Sequence, residues 1–188
     1  AQLRTRFRRR RRDIDPAQAA SEARACAAIC AELLAKAATL ASYLAMPDEI
    51  DLQQLHDAWW ASGRLLVVPR VDGGGRLTWH DLQRDDQRLR AGAYGIREPN
   101  PDLVPARELP AGAAIIVPGI AFGSDGRRLG QGVGYYDRVL ATHRGLSVGV
   151  GYSCQRCDDL PLEPHDRPVA AVVLGSVLVL VPPRALPA

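Results

Sequence analysis

Apolar residues fall along this chain in two rhythms. Ala20, Ala23, Ala27, Cys30 and Leu34 recur at three- and four-residue steps, which places them on one face of an α-helix. Asp15 stands before that stripe as an N-cap, Pro16 fits the first turn, and Gln18 completes a capping box. A second helix is expected over Asp51–Ser62, stopped at Gly63, and a third over Tyr135–Arg144. Between them lie short runs that are largely apolar without alternation: Thr39–Leu44, Leu65–Val68, Ala113–Val117, Leu146–Tyr152, Val169–Leu174 and Val177–Val181. Strands of that kind are covered on both faces, as in a parallel sheet. Asp72-Gly73-Gly74-Gly75 predicts a turn into a hairpin arm at Arg76–Trp79. The polar, proline-bearing stretch Asp81–Pro110 is expected to lie on the surface as a loop. Alternating strands and helices predict an α/β fold: a three-layer α/β/α single domain over residues 1–188, with a mostly parallel, Rossmann-like sheet.

Composition narrows the partners. With 47% apolar and 24% charged residues over 188 positions, the chain can bury a core of ordinary size. Its longest apolar run, Val177–Val181, is too short to cross a bilayer, so no membrane partner is expected. No secretory signal opens the chain, and a cytoplasmic location with reduced thiols is expected. Cys26 and Cys30, four residues apart, are expected to pack in the first amphipathic helix; Cys154-Gln-Arg-Cys157 is half of a zinc or redox pattern without its second half. A net charge of +3 argues against a polyanion binder. Arginines do crowd Arg4–Arg12, with Phe7 the one aromatic residue among them. Such a run is either a nucleic-acid arm or the solvated face of a helix starting within residues 1–14, and the missing aromatic interleaving favours the helix. The expected species is a monomer.

The stretch most able to carry chemistry is PGIAFGSDGRRLGQGVGYYDRVL, Pro118 to Leu140. Gly130, Gly132 and Gly134 leave the connection between a strand and a helix nearly bare. Several backbone N–H groups can then converge on an anion, and the helix adds its positive N-terminal end. Arg127 and Arg128 stand upstream as cations, and Asp137, in the first helical turn, offers an oxygen ligand to a hard metal. The spacing is neither G-x-x-x-x-G-K-[ST] nor G-x-G-x-x-G. A tight strand-to-helix turn is the plainer alternative, although turn geometry alone requires neither Arg-Arg before the glycines nor Tyr-Tyr-Asp after them.

That segment resembles the signature of the 5-formyltetrahydrofolate cyclo-ligase family, P-G-x-x-F-x-x-x-G-x-R-L-G-x-G-x-G-Y-Y-D. Each fixed position is met, from Pro118, Gly119, Phe122 and Gly126 through Arg128, Leu129, Gly130, Gly132 and Gly134 to Tyr135, Tyr136 and Asp137. Leu3-Arg4, Leu44 to Ile50, Tyr94 to Pro99 and Leu160 to Asp166 resemble further family segments, so the likeness spans nearly the whole chain. The resemblance implies conversion of 5-formyltetrahydrofolate to 5,10-methenyltetrahydrofolate with ATP and Mg²⁺. It implies ATP contacts at Arg4, Arg128, Leu129, Gly130, Gln131, Gly132, Val133, Gly134, Tyr135 and Tyr136. It implies folate contacts at Leu44, Glu49, Gln131, Gly132, Val133, Gly134 and Tyr135, and metal ligation by Asp137 and Asp166. No role is carried onto Tyr94–Pro99. Ala1 and Gln2 stand where the family has a lysine, and Val169–Gly175 replaces its acid and Thr-Glu pair. Two rival expectations are a nucleotide-binding regulatory relative without cyclisation activity and an Arg-rich nucleic-acid-associated protein.

Overall fold

Two helices open the chain. The computed structural model, which describes residues 2–92, 97–161, 163 and 166–182, forms α1 over Gln2–Arg12 and α2 over Pro16–Leu33. Asp15 caps α2 as expected, its Oδ1 accepting from the N–H groups of Ala17 and Gln18 at 2.9 and 3.0 Å. Gln18 turns instead to Glu22 (2.8 Å), so only half of the predicted capping box forms. The arginine run is the face of α1, and Phe7 buries its ring against Ile120, Ala121 and Leu160. Arg6 and Arg10 each lie 4.9 Å from that ring.

Next come β1 (Thr39–Ala41), α3 (Gln53–Ala61), β2 (Leu65–Val71), β3 (Leu77–Asp81), β4 (Leu89–Ala91) and β5 (Arg97–Pro99). They are followed by β6 (Ala114–Pro118), β7 (Ala121–Phe122), β8 (Arg128–Leu129), α4 (Tyr135–Thr142), β9 (Ser147–Gly151), β10 (Ala171–Leu174) and β11 (Val177–Leu180). Seven of the strands make one sheet in the order β11-β10-β9-β6-β1-β2-β3. The five inner strands are parallel, and β3 and β11 add antiparallel edges. The near-continuous apolar runs thus end where two-sided burial requires them. Within β6, Ile116 faces the cluster that contains Cys30, Leu55 and Trp59. Its neighbour Ile115 faces the cluster that contains Val67 and Phe122, onto which α4 packs through Tyr136, Val139 and Leu140. Helices on both faces of a mostly parallel sheet are the expected α/β/α layers. Cys26 and Cys30 are buried as expected.

Three expectations need correction. The strand predicted over Thr39–Leu44 ends at Ala41; the Ser42 N–H makes one last bond to the Val67 carbonyl at 2.9 Å, and its hydroxyl meets the buried His56 ring at 2.8 Å. The stretch from Asp81 to Pro110 is not all surface loop. It carries the β4–β5 hairpin and buries Leu82, Asp86 and Val104, since His80 Nδ1 bonds the Val104 carbonyl at 2.7 Å and draws that segment inward. The third helix stops at Thr142, short of Arg144. Residues 94–96 and the proline tail at 183–188 lie outside the described residues.

His56 supplies a pH prediction. Burial pushes its pKa down to about 4 from 6.5, so the unfolded chain binds the proton first as pH falls. Stability from this group is complete above pH 6.5 and declines towards pH 4, by up to about 2–3 kcal/mol. Urea titrations across that range are expected to show the decline in the native chain and a flatter profile in His56→Gln.

Candidate functional site

Chain order and spatial order in the sheet diverge between β1 and β6. The chain leaves β1 towards β2 on one side and leaves β6 towards β9 and β10 on the other. A crevice beyond the carboxyl ends of the strands opens at such a switch point. The segment after β1 carries Glu49, and the segment after β6 carries the glycines. They meet in a cleft of about 740 Å³.

The glycine segment is shaped before it reaches α4. A short hairpin, β7 with β8, folds it back, and Gly132 (φ 107°) and Gly134 (φ 72°) take backbone conformations that side chains resist. A Cβ at Gly130 would stand 2.6 Å from Arg128 Nη1, so glycine there also admits the guanidinium. Gly134 is the N-cap of α4 and supplies no side-chain cap, which leaves the N–H groups of the first turn open to the cleft.

Charge gathers around that turn. Arg128 Nη2 donates to Asp137 Oδ1 at 3.0 Å, with the two side chains only 5% and 16% exposed. The Arg167 N–H reaches the same oxygen at 3.3 Å. Arg128 Nε is buried with no hydrogen-bond partner among the described residues, a donor waiting for an acceptor. Arg4 Nε donates to the Gly130 carbonyl at 2.9 Å. Arg127, by contrast, points away from the cleft: it donates to Asp125 (2.6 Å) and to the carbonyls of Leu160 and Asp158. It is therefore a brace for the loop, not a second cation for an anion.

On the opposite wall, Glu49 Oε2 accepts the Met46 N–H at 3.2 Å. Burial raises the Glu49 pKa, and the Met46 N–H and the Arg11 charge work against that rise. Burial, followed by the charge of Glu49, also pushes the Tyr136 hydroxyl up.

The structure gathers Arg4, Glu49, Arg128, Leu129, the run Gly130–Asp137 and Asp166 around this one cleft. Leu44 lies elsewhere, packed against the core cluster of α2 and α3. Asp166 Oδ2 accepts the Glu163 N–H at 2.8 Å; residues 162, 164 and 165 lie outside the described residues. Among the described residues no three His, Cys, Asp or Glu side chains converge as a ready-made metal cage. Two carboxylates lining a cleft suit a small hard cation that completes its shell with phosphate oxygens and water, and Mg²⁺ binds in that manner.

Two side chains at the site carried no sequence signal. Gln155 is buried, donating to the carbonyls of Gly119 (2.8 Å) and Ile120 (3.2 Å) while accepting the Tyr152 N–H (2.7 Å). It fixes the start of the glycine segment from behind. Arg11 looked like one more arginine of the run, yet it is almost wholly buried. Its exposed neighbours gave no reason to single it out, since only the docking of α1 decides which arginine turns inward. Cys154 and Cys157 are free thiols away from the cleft lining.

The chain is similar to known proteins over most of its length. A sequence model described as the 5-formyltetrahydrofolate cyclo-ligase family matches residues 1–175. The 5-formyltetrahydrofolate cyclo-ligase of Mycolicibacterium smegmatis is 32% identical over 173 residues, covering 88% of this chain and 88% of its own length. That of Escherichia coli (strain K12) is 32% identical over 143 residues, covering 73% and 78%. Among solved structures, the 5,10-methenyltetrahydrofolate synthetase of Aquifex aeolicus superposes with a TM-score of 0.79 at 30% identity, over 100% of this chain and 95% of that one.

Proposed function

The chain belongs to the 5-formyltetrahydrofolate cyclo-ligase family, and from that premise we propose that it closes 5-formyltetrahydrofolate to 5,10-methenyltetrahydrofolate, consuming ATP and releasing ADP and phosphate. The observation that carries this reading is the cleft in which a bare glycine turn, with Arg4 and Arg128 beside it, faces the largely buried carboxylate of Glu49.

The chemical obstacle is the formyl oxygen, a poor leaving group on an amide-like nitrogen. Transfer of the γ-phosphoryl group to that oxygen breaks the bond to ADP and turns the oxygen into a leaving group. The second folate nitrogen then adds to the formyl carbon and loses its proton, after which phosphate departs with the oxygen and leaves the methenyl bridge. A phosphoryl transfer of this kind needs positioning and charge neutralisation more than a protein nucleophile. The N–H groups of Gly130 to Gly134 and the first turn of α4 would bind phosphate oxygens, with Arg128 and Arg4 as charged donors. Glu49 would accept the paired N–H groups of the pterin edge, and the rings of Tyr135 and Tyr136 offer faces on which a base or pterin can stack. Asp137 and Asp166 would hold Mg²⁺; among the described residues both contacts made by Asp137 fall on Oδ1, so Oδ2 would face the cation. When bound, the ion neutralises charge on the phosphates.

Methenyl absorbance in the near ultraviolet tests the proposal. Incubation with 5-formyltetrahydrofolate is expected to produce it only when Mg-ATP is present. Nucleotide binding without any methenyl product would overturn the reading in favour of a regulatory relative.

A further inference from the structure

The N-terminal helix does more than present arginines to solvent. Arg4, Arg8 and Arg11 are spaced i, i+4 and i+7, on one face of α1. Arg4 donates to the Gly130 carbonyl, and Arg8 Nη2 donates to Gln131 Oε1 at 2.6 Å. One turn further on, Arg11 Nη2 donates to Asp48 Oδ2 at 2.6 Å and Nη1 stands 3.8 Å from Glu49 Oε1. Phe7, wholly buried, pins the helix between those contacts. One face of α1 therefore touches the glycine turn at one end and the Asp48–Glu49 pair at the other.

We propose that Arg11 is a positioning residue for folate, a buried fork that fixes the Glu49 carboxylate on the cleft wall. The inference rests on the reading that Glu49 receives the pterin. Arg11 is 2% exposed and Glu49 10%, so neither is steadied by bulk water. Stability alone is a poor reason for the arrangement, since a buried ion pair seldom outperforms apolar side chains of similar size. Arg11 also keeps a buried Nε with no hydrogen-bond partner among the described residues, a cost that an apolar side chain would avoid. What the guanidinium does provide is a permanently charged, planar group that is hydrogen-bonded to Asp48 and holds the Glu49 carboxylate beside it by charge at 3.8 Å. Asp48 anchors the fork, and Glu49, its Oε2 also accepting the Met46 N–H, presents its charge and remaining lone pairs to the cleft.

The charged and titratable groups around Glu49 are few. Arg11 approaches from α1, Asp48 precedes it in the chain, and the Tyr43 and Tyr136 hydroxyls feel its charge from the end of β1 and from α4. The Tyr152 hydroxyl donates to the Glu49 carbonyl at 3.2 Å. Burial holds the hydroxyls of Tyr43, Tyr136 and Tyr152 above their ordinary range, so they stay neutral through the acid limb. Arg11 lowers the pKa of Glu49 and Asp48 raises it. Folate binding that needs the carboxylate form is lost as pH falls through that pKa. Removing Arg11 must then move the loss to higher pH, and removing the Asp48 charge must move it to lower pH.

The test measures KM for 5-formyltetrahydrofolate and for ATP against pH in Arg11→Gln, Arg11→Lys, Asp48→Asn and Glu49→Gln. Arg11→Gln is expected to raise the folate KM at neutral pH roughly tenfold, with a much smaller effect on kcat and on the KM for ATP, and to shift the acid limb upward. Arg11→Lys should recover part of the affinity, and Asp48→Asn should shift the limb downward. Glu49→Gln should raise the folate KM and abolish the limb. Unchanged folate KM in Glu49→Gln would remove the underlying reading of that residue, and the inference with it. A raised KM there beside an unchanged Arg11→Gln would overturn the inference alone. So would an equal rise in both KM values, which would mean that α1 had come loose. Should Arg11→Gln fail to fold, a folate KM raised in Arg11→Lys with the KM for ATP unchanged keeps the inference, and unchanged values of both overturn it.

Discussion

Asp137→Asn is expected to lower kcat for methenyl formation by about 10²–10³-fold while the chain stays folded. Asparagine is the better probe than alanine because of what Asp137 already does. Its Oδ1 accepts from Arg128 Nη2 and from the Arg167 N–H, and an amide oxygen can keep both bonds. Alanine would strand the nearly buried Arg128 guanidinium without its partner, and that loss could by itself cost about 3–5 kcal/mol. A fall in turnover would then report on stability as much as on chemistry. The amide removes the negative charge alone, and with it the hold on a divalent cation. Steady-state methenyl formation over a Mg²⁺ titration, beside a thermal melt, checks the prediction. Turnover within threefold of the native chain at saturating Mg²⁺ would exclude Asp137 from the proposed metal site.

Phe122→Ala is expected to destabilise the chain by about 3–5 kcal/mol, lowering the melting temperature by roughly 10 °C. Phe122 is wholly buried and sits where glycines on two sides make room for its ring. A Cβ at Gly149 would stand 2.5 Å from Cε1, and one at Gly119 would stand 2.6 Å from Cζ. The ring thus joins β9 to the start of the glycine segment. Its backbone carbonyl also accepts the Cys157 N–H at 2.8 Å. Rigid β-strand backbone on one side gives the cavity little chance to collapse, which sets the cost at the upper end for such a truncation. Calorimetry or urea titration reads the loss directly, and a change below 1 kcal/mol would contradict the packing argument.

The phenylalanine also shows how a signature mixes two kinds of information. In sequence, Phe122 stands among the fixed positions on equal terms with Arg128 and Asp137. In space it never reaches the cleft; it supports the turn from beneath. Gly126 belongs with it, because a Cβ there would meet the Val169 carbonyl at 2.4 Å. Arg127 and Arg128 are adjacent and identical in type, yet one braces the loop on Asp125 while the other faces Asp137. Strand geometry sends consecutive side chains to opposite sides, and β8 begins at Arg128.

What the sequence determined by itself was whatever depends on neighbours in the chain. The α2 stripe apart from Ala20, which lies exposed, the Asp15 cap, the doubly buried strands and the bare turn before α4 follow from local spacing and from steric limits on backbone angles. The family signature lies within one such local stretch, which is why it was legible without coordinates. Tertiary structure alone decided the rest. It turned Arg11 inward and left Arg9 in solvent, set Gln155 behind Gly119, packed a partly buried Leu44 against the core cluster, and brought Glu49 across from the glycine turn. Those placements depend on how α1 and the segments after β1 and β6 settle on a shared sheet, where residues more than eighty positions apart compete for the same buried volume.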